Sequence, residues 1–348
     1  MFHYLIKQKL YLNDKHLKIL NKYKIIMNIN MKIVIIAPGY MPLPAPGWGA
    51  VERIVWDYYE NLKKRDYNVH LVNNSNPQQI IYECNALQPT VVHIMYDDHI
   101  IVTPYLNCSR IYYTSHYAYI TSPNFEMKNA SYFNMFFKKV IQYQDRLILN
   151  VISTEIKQVY IKYGFPAEKI NVIRNGARED NYRYTTTPTR ANKSIYLAKV
   201  ELRKGQYKYQ SIPQIDFVGN YQDSPFQKTN PNYLGEWTKN QLYEQLTDYG
   251  NLVLLSEGEA DPLVVKEALI AGLGVVVSEC SAANLDLSKP FITVIPNASL
   301  QDLTFIQKAI ENNRIISVNC RDEIRTYALE RFGWNKIIDE YCQKCLLK

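Results

Sequence analysis

From Met31 onward the chain alternates short, wholly apolar runs with segments of helical period, and this alternation most constrains the fold. The runs at 33–37, 69–72, 91–95, 111–115, 147–152 and 172–173 carry almost no polar residue on either face. That is the pattern of parallel strands covered by helices on both sides. Helical periodicity lies between them at 51–64, 130–143 and 155–163. After a polar Thr/Pro/Arg/Asn stretch at 185–193, which has the composition of a linker, a second series begins. Its strands are expected at 195–200, 215–218, 252–256 and 275–278, with helices at 239–246, 264–271 and 300–312. Repeated βαβ units in 348 residues imply an α/β protein of two doubly wound, Rossmann-like domains facing across a cleft. We place them at 31–184 and 185–330, with a closing helical segment at 331–348 expected to pack back toward the first domain.

Net charge is +7, but residues 1–30 hold six Lys against one Asp and so contribute +5 of it. The +2 left for the remainder is too small for a phosphate-backbone footprint, so nucleic acid is excluded as a partner class. The basic leader has no clean helical period. It reads as an extension dispensable for the fold, or as a segment in peripheral contact with an anionic membrane surface. No run approaches the length of a bilayer-spanning helix. The six cysteines are scattered and no secretory signal precedes them, which points to reduced thiols and a cytoplasmic protein. Cys342 and Cys345 form a lone CxxC and read as a helical pair one turn apart rather than half a metal site.

Glycine is scarce, 13 residues where average usage would give about 24, so its positions are informative. Gly47 and Gly49 lie between the first strand and its helix, where glycine either permits a turn or lets backbone N–H groups approach a phosphate. A third glycine of the dinucleotide fingerprint is missing, which disfavours nicotinamide. Lys199 and Lys204, five apart and followed by Gly205, are either solvated surface lysines or a diphosphate clamp at a strand end. Glu259 falls in the loop after a strand and Glu267 on the helix that follows. Two carboxylates beside cations suit a ligand bearing both hydroxyls and a diphosphate.

These segments resemble the signatures of glycosyltransferase family 4, retaining nucleotide-sugar transferases of the GT-B fold. Glu259 and Glu267 bracket seven residues like its E-x7-E, and Glu267-Ala-Leu-Ile-Ala-Gly272 is similar to its E-A-M/L-A-x-G. Gly47 to Arg53 resembles its glycine loop, Pro89-Thr-Val-Val-His93 its P-D-V-V-H, and Tyr113-Thr-Ser-His116 its T-x-H. Asn171-Val-Ile-Arg-Asn175-Gly176, Lys199 with Lys204-Gly205, and Arg331-Phe-Gly-Trp334 follow in the family's order. The likeness spans about residues 31 to 345.

The resemblance implies that Lys199 and Lys204 hold the donor diphosphate, with Gly49 near its distal phosphate and Gly47 in the same loop. Glu267 would bind the ribose hydroxyls, Glu259 a donor-sugar hydroxyl, and His116 the sugar from the opposite domain. His116 and Glu259 are thus the expected catalytic pair. His93 and His99 are read as structural. No metal or cofactor is expected; the donor, a UDP- or GDP-sugar, is a substrate, and the partner is a hydroxyl acceptor. The chain departs from the family in having Lys199 for Arg, Gly274 for Pro, and Glu259-Ala-Asp-Pro for E-G-F. The helix after Gly205 is nearly absent. Asp97 and Asp98 read as loop carboxylates. The rival readings are a catalytically silent nucleotide-sugar-binding scaffold, and an epimerase or phosphorylase on the same architecture.

Overall fold

The computed structural model describes residues 31–47, 49–222 and 225–347; the basic leader lies outside them. Six parallel strands form the first sheet: β1 (Lys32–Ile36), β2 (Asn68–Val72), β3 (Val91–Ile94), β4 (Ile111–Tyr113), β5 (Leu147–Val151) and β6 (Ile170–Val172). Their order is β2-β1-β3-β4-β5-β6. The second sheet holds β7 (Arg190–Leu197), β8 (Ile215–Val218), β9 (Tyr249–Leu254), β10 (Gly274–Ser278) and β11 (Ile292–Ile295), ordered β11-β10-β9-β7-β8 and again parallel. Strands β3, β8, β9 and β10 are buried at every residue, the consequence of helices covering both faces.

The principal helices are α1 (Ala50–Lys63), α2 (Pro77–Ala86), α3 (Thr154–Lys162), α4 (Lys239–Gln245), α5 (Leu263–Ile270), α6 (Leu303–Asn319), α7 (Arg321–Phe332) and α8 (Trp334–Tyr341). Several sequence expectations are corrected. The helix expected over 130–143 is broken by a π turn at Phe133–Phe137, and the closing helical segment expected at 331–348 gives way to a π turn at Cys342–Leu346. Strand β7 begins at Arg190, inside the stretch that reads as a linker. There the Lys193 ammonium donates to Asp216 Oδ1 at 2.9 Å, so a polar strand end finds its partner on β8. Helices α2 and α7 and strand β11 have no counterpart in the sequence reading.

One face of the first sheet is covered by the end of the chain. Trp334, Ile337, Ile338 and Tyr341 share a core with Ile33, Ile35, Tyr58 and Val91. The Tyr58 ring meets Trp334 edge-on at 5.2 Å and Tyr341 at 4.9 Å. Cys342 and Cys345 are buried in this layer. His93 stacks on Tyr341 at 5.4 Å and bonds Thr114 Oγ1 at 2.8 Å, while His99 bonds the Pro38 carbonyl at 3.0 Å. Both are core histidines.

Candidate active site

In an open parallel sheet, ligands bind outside the carboxyl ends of the strands, where the strand order reverses. The first sheet reverses between β1 and β3, the second between β7 and β9. The loops leaving these four strands therefore face the space between the domains. They enclose a cleft of about 580 Å³, whose lining includes Gly47, Gly49, His116, Lys199, Lys204, Glu259 and Glu267. All seven sequence candidates thus meet in one place.

Each is fixed by local structure. Gly49 holds the left-handed φ of +116° that starts α1. Gly205, at φ +68°, ends the tight turn after β7, and only a single helical turn, Gln206–Tyr209, separates it from the approach to β8. The buried Tyr196 hydroxyl ties the two switch-point loops together. It donates to the Lys204 carbonyl and accepts from the Leu255 amide at 2.9 Å. The buried Gln206 side chain donates to the Lys199 carbonyl at 2.8 Å. Strand ends pinned in this way fix the backbone from which the two lysines project.

The charged groups pair. The Lys204 ammonium donates to Glu259 Oε1, and Arg203 lies 3.7 Å from the other oxygen of that carboxylate. Burial opposes ionisation of Glu259, but these two cations outweigh it and hold its carboxyl below the usual range. Glu267 on α5 is bound by Arg53 of α1, which raises the guanidinium's proton affinity further. His116 differs: burial lowers it to about 4, so its imidazole is neutral, and its Nε2 is buried without a hydrogen-bond partner among the described residues. A neutral ring with an unused nitrogen can give or take one hydrogen bond at a ligand hydroxyl.

Sequence reasoning missed several groups. Arg203 stands inside the quoted lysine segment but points to Glu259 and the Gly258 carbonyl, which spacing does not reveal. Arg53 closes the glycine loop motif, yet its partner lies 214 residues away. Trp237, Asn220, Glu236 and Lys239 line the cleft from the second domain with no motif to mark them. Asp261 forms a wholly buried pair with Lys266 and accepts the Asn175 amide at 3.1 Å. Asp97 accepts hydroxyl bonds from Tyr113, Ser115 and Tyr132, each at 2.6 Å. Among the described residues no cluster of His, Cys, Asp and Glu could hold a metal ion.

Two parallel α/β domains that present their switch points to a common cleft define the GT-B fold. The same architecture recurs in solved structures of low sequence identity. HepE of Anabaena, solved with UDP-glucose, superposes with a TM-score of 0.67 at 14% identity, covering 90% of this chain and 99% of that one. Sucrose-phosphate synthase of Thermosynechococcus elongatus gives 0.66 at 14% identity, covering 90% and 98%. WaaG, a glycosyltransferase involved in lipopolysaccharide biosynthesis, gives 0.64 at 12% identity, covering 91% and 100%. No family model and no curated protein matches the sequence.

Proposed function

We propose that the protein is a retaining glycosyltransferase of the family 4 type, moving a sugar from a nucleoside-diphosphate sugar to a hydroxyl acceptor. The observation that carries this is the meeting of Lys199, Lys204, Glu259, Glu267 and His116 in one cleft at both switch points. HepE, of the same fold, binds UDP-glucose, which supports a UDP-sugar as the first donor to test, with GDP-sugars beside it. In this reading Lys199 and Lys204 neutralise the departing diphosphate, Gly47 and Gly49 leave room for its distal phosphate, and Glu267 receives ribose hydroxyls. Glu259 and the neutral His116 fix the sugar from opposite domains. The lysines supply the positive field that a divalent ion would otherwise provide, so the reaction proceeds without metal. The departing phosphate oxygen takes the acceptor proton on the same face, which retains the anomeric configuration. A thermal-shift screen of UDP-, GDP- and ADP-sugars tests donor binding, because ligand at 100 times its Kd stabilises by about 2.7 kcal/mol. Release of free nucleoside diphosphate separates an enzyme from a silent scaffold. An α-linked product from an α-linked donor is expected; a β-linked product overturns the assignment.

A further inference from the structure

The carboxylate of Glu267 is answered from the other domain. Arg53, at the fourth position of α1, donates from Nη2 to Glu267 Oε1 on α5, and this ion pair joins residues 214 apart in sequence across the cleft. The ordinary partner of an arginine on a helix is a carboxylate one turn further along, here Asp57. That carboxylate is already taken: Arg178, between β6 and β7, binds both Asp57 and Glu60 of α1. With Asp57 so occupied, Arg53 reaches the second domain instead.

The pair stands where two spaces meet. Arg53 and Glu267 line the large cleft and also an adjoining cavity of about 130 Å³, which Asp57, Arg178 and Lys239 line as well. The Lys239 ammonium donates to the Ala45 carbonyl, and its proton affinity is lowered first by burial and then by Arg53 and Arg178. Withdrawal of the Arg53 guanidinium into that cavity would bring it toward two cations, with the Asp57 carboxylate already spent on one of them. The guanidinium is better placed on Glu267. A carboxylate as enclosed as that of Glu267, whose side chain is 6% exposed, is costly without a cation. Ribose hydroxyls are neutral and cannot replace the guanidinium's charge. An ionised carboxylate offers about four lone-pair sites and the contact from Nη2 uses one, so acceptor capacity remains for a diol. Guanidinium and ribose are therefore joint rather than rival partners of Glu267.

Resting on the glycosyl-transfer reading, in which Glu267 receives the ribose, we propose that Arg53 is the positioning residue of the ribose site. It answers the charge of the Glu267 carboxylate from the first domain and holds it in place, so recognition of the nucleoside hydroxyls takes both domains. Isothermal titration calorimetry of the full chain with UDP, GDP and their 2′,3′-dideoxy forms tests it. In the wild type the ribonucleotide that binds should be favoured over its dideoxy form by about tenfold or more, because a buried acceptor left unanswered rejects the analogue that lacks the hydroxyl. Arg53→Met keeps the apolar stem and removes the charge; it should weaken the ribonucleotide by about fivefold or more while the dideoxy form is nearly unchanged. Arg53→Lys, which keeps a cation on α1, should retain most of the ribose preference. Equal loss for both forms in Arg53→Met gives the arginine to the phosphates or to the fold and overturns the assignment. A gain in ribonucleotide affinity makes guanidinium and ribose rivals and overturns it as well, and so does a ribose preference in Arg53→Lys as low as in Arg53→Met. Arg53→Gln takes the place of Arg53→Met if the latter lacks the wild-type circular dichroism; loss of the fold in both makes the pair a stability contact and overturns the positioning role. Wild-type binding with no ribose preference overturns this inference and leaves the diphosphate site standing. Absence of any nucleotide binding to the wild type overturns the glycosyl-transfer reading itself.

Discussion

Removing the Lys204 ammonium leaves the buried Glu259 carboxylate with Arg203 alone, 3.7 Å away. Charge-assisted contacts contribute about 1.5 to 3 kcal/mol, so Lys204→Ala should lower turnover by roughly ten- to a hundredfold while circular dichroism remains native. Wild-type turnover in that folded variant would move the diphosphate elsewhere. If Glu267 receives the ribose hydroxyls as proposed, its contact is alike in ground and transition states, so Glu267→Ala should raise donor KM with kcat little changed, and steady-state kinetics decides. The buried histidines predict a pH dependence of stability. Folded-state values of about 4 for His116 and about 3 for His93 lie below the ordinary 6.5, because burial penalises the imidazolium. Below 6.5 these two side chains therefore hold more protons in the unfolded chain than in the folded one. Stability should be full above about pH 6.5 and fall progressively toward pH 4, with His116 contributing on the order of 3 kcal/mol. Asp57, raised to about 6 by burial, acts oppositely in the same window, so urea midpoints of wild type and His116→Ala together measure the histidine's share, and an identical pH dependence in the two would contradict a neutral His116.

At the scale of elements, the site depends on how strands end and helices begin. Helix α2 shows the ordinary solution: Asn76 caps it, its side chain accepting from the amides of Gln78 at 2.9 Å and Gln79 at 3.1 Å. Asn76→Ala should cost about 1 kcal/mol, visible as a lower melting temperature with donor affinity unchanged, since α2 stands away from the cleft. Helices α1 and α5, which border the cleft, carry no side-chain cap at all. Their first amides face the ligand space instead, and helix starts of this kind favour anions.

On the scale of the whole molecule, the domains are held by polar contacts on one side and by an apolar layer on the other. Arg53 binds Glu267, and Asn284 donates to the Ile152 carbonyl at 2.8 Å. The chain's end then returns: Trp334, 2% exposed, wedges against Tyr58 and stands within about 3 Å of where a Cβ on Gly176 would be. Truncating a large buried aromatic costs about 3 to 5 kcal/mol. Trp334→Ala should lower stability by that amount. Because Trp334 packs on the first sheet while α7 before it packs on the second domain, calorimetry of the wild type should show a single transition. Two well-separated transitions would mean that the closing helix does not couple the domains.

The fold class was legible because parallel strands covered on both faces must be apolar throughout, and such runs are visible without any partner. The loops after those strands were legible for a related reason: glycines, lysines and glutamates there interrupt the apolar pattern where the topology reverses. Elements whose polar groups are satisfied at a distance were hidden. The start of β7 looked like a linker because Lys193 finds Asp216 only in the folded sheet. Helix α7 had no readable apolar stripe, since the buried Arg321 spends its guanidinium on the carbonyls of Thr185, Thr247 and Tyr249. The pairing of Lys204 with Glu259 and of Arg53 with Glu267 was likewise decided only by tertiary structure. Spacing along a chain fixes which groups share a strand end or a helix face; which charge answers which depends on how two domains close over the same space.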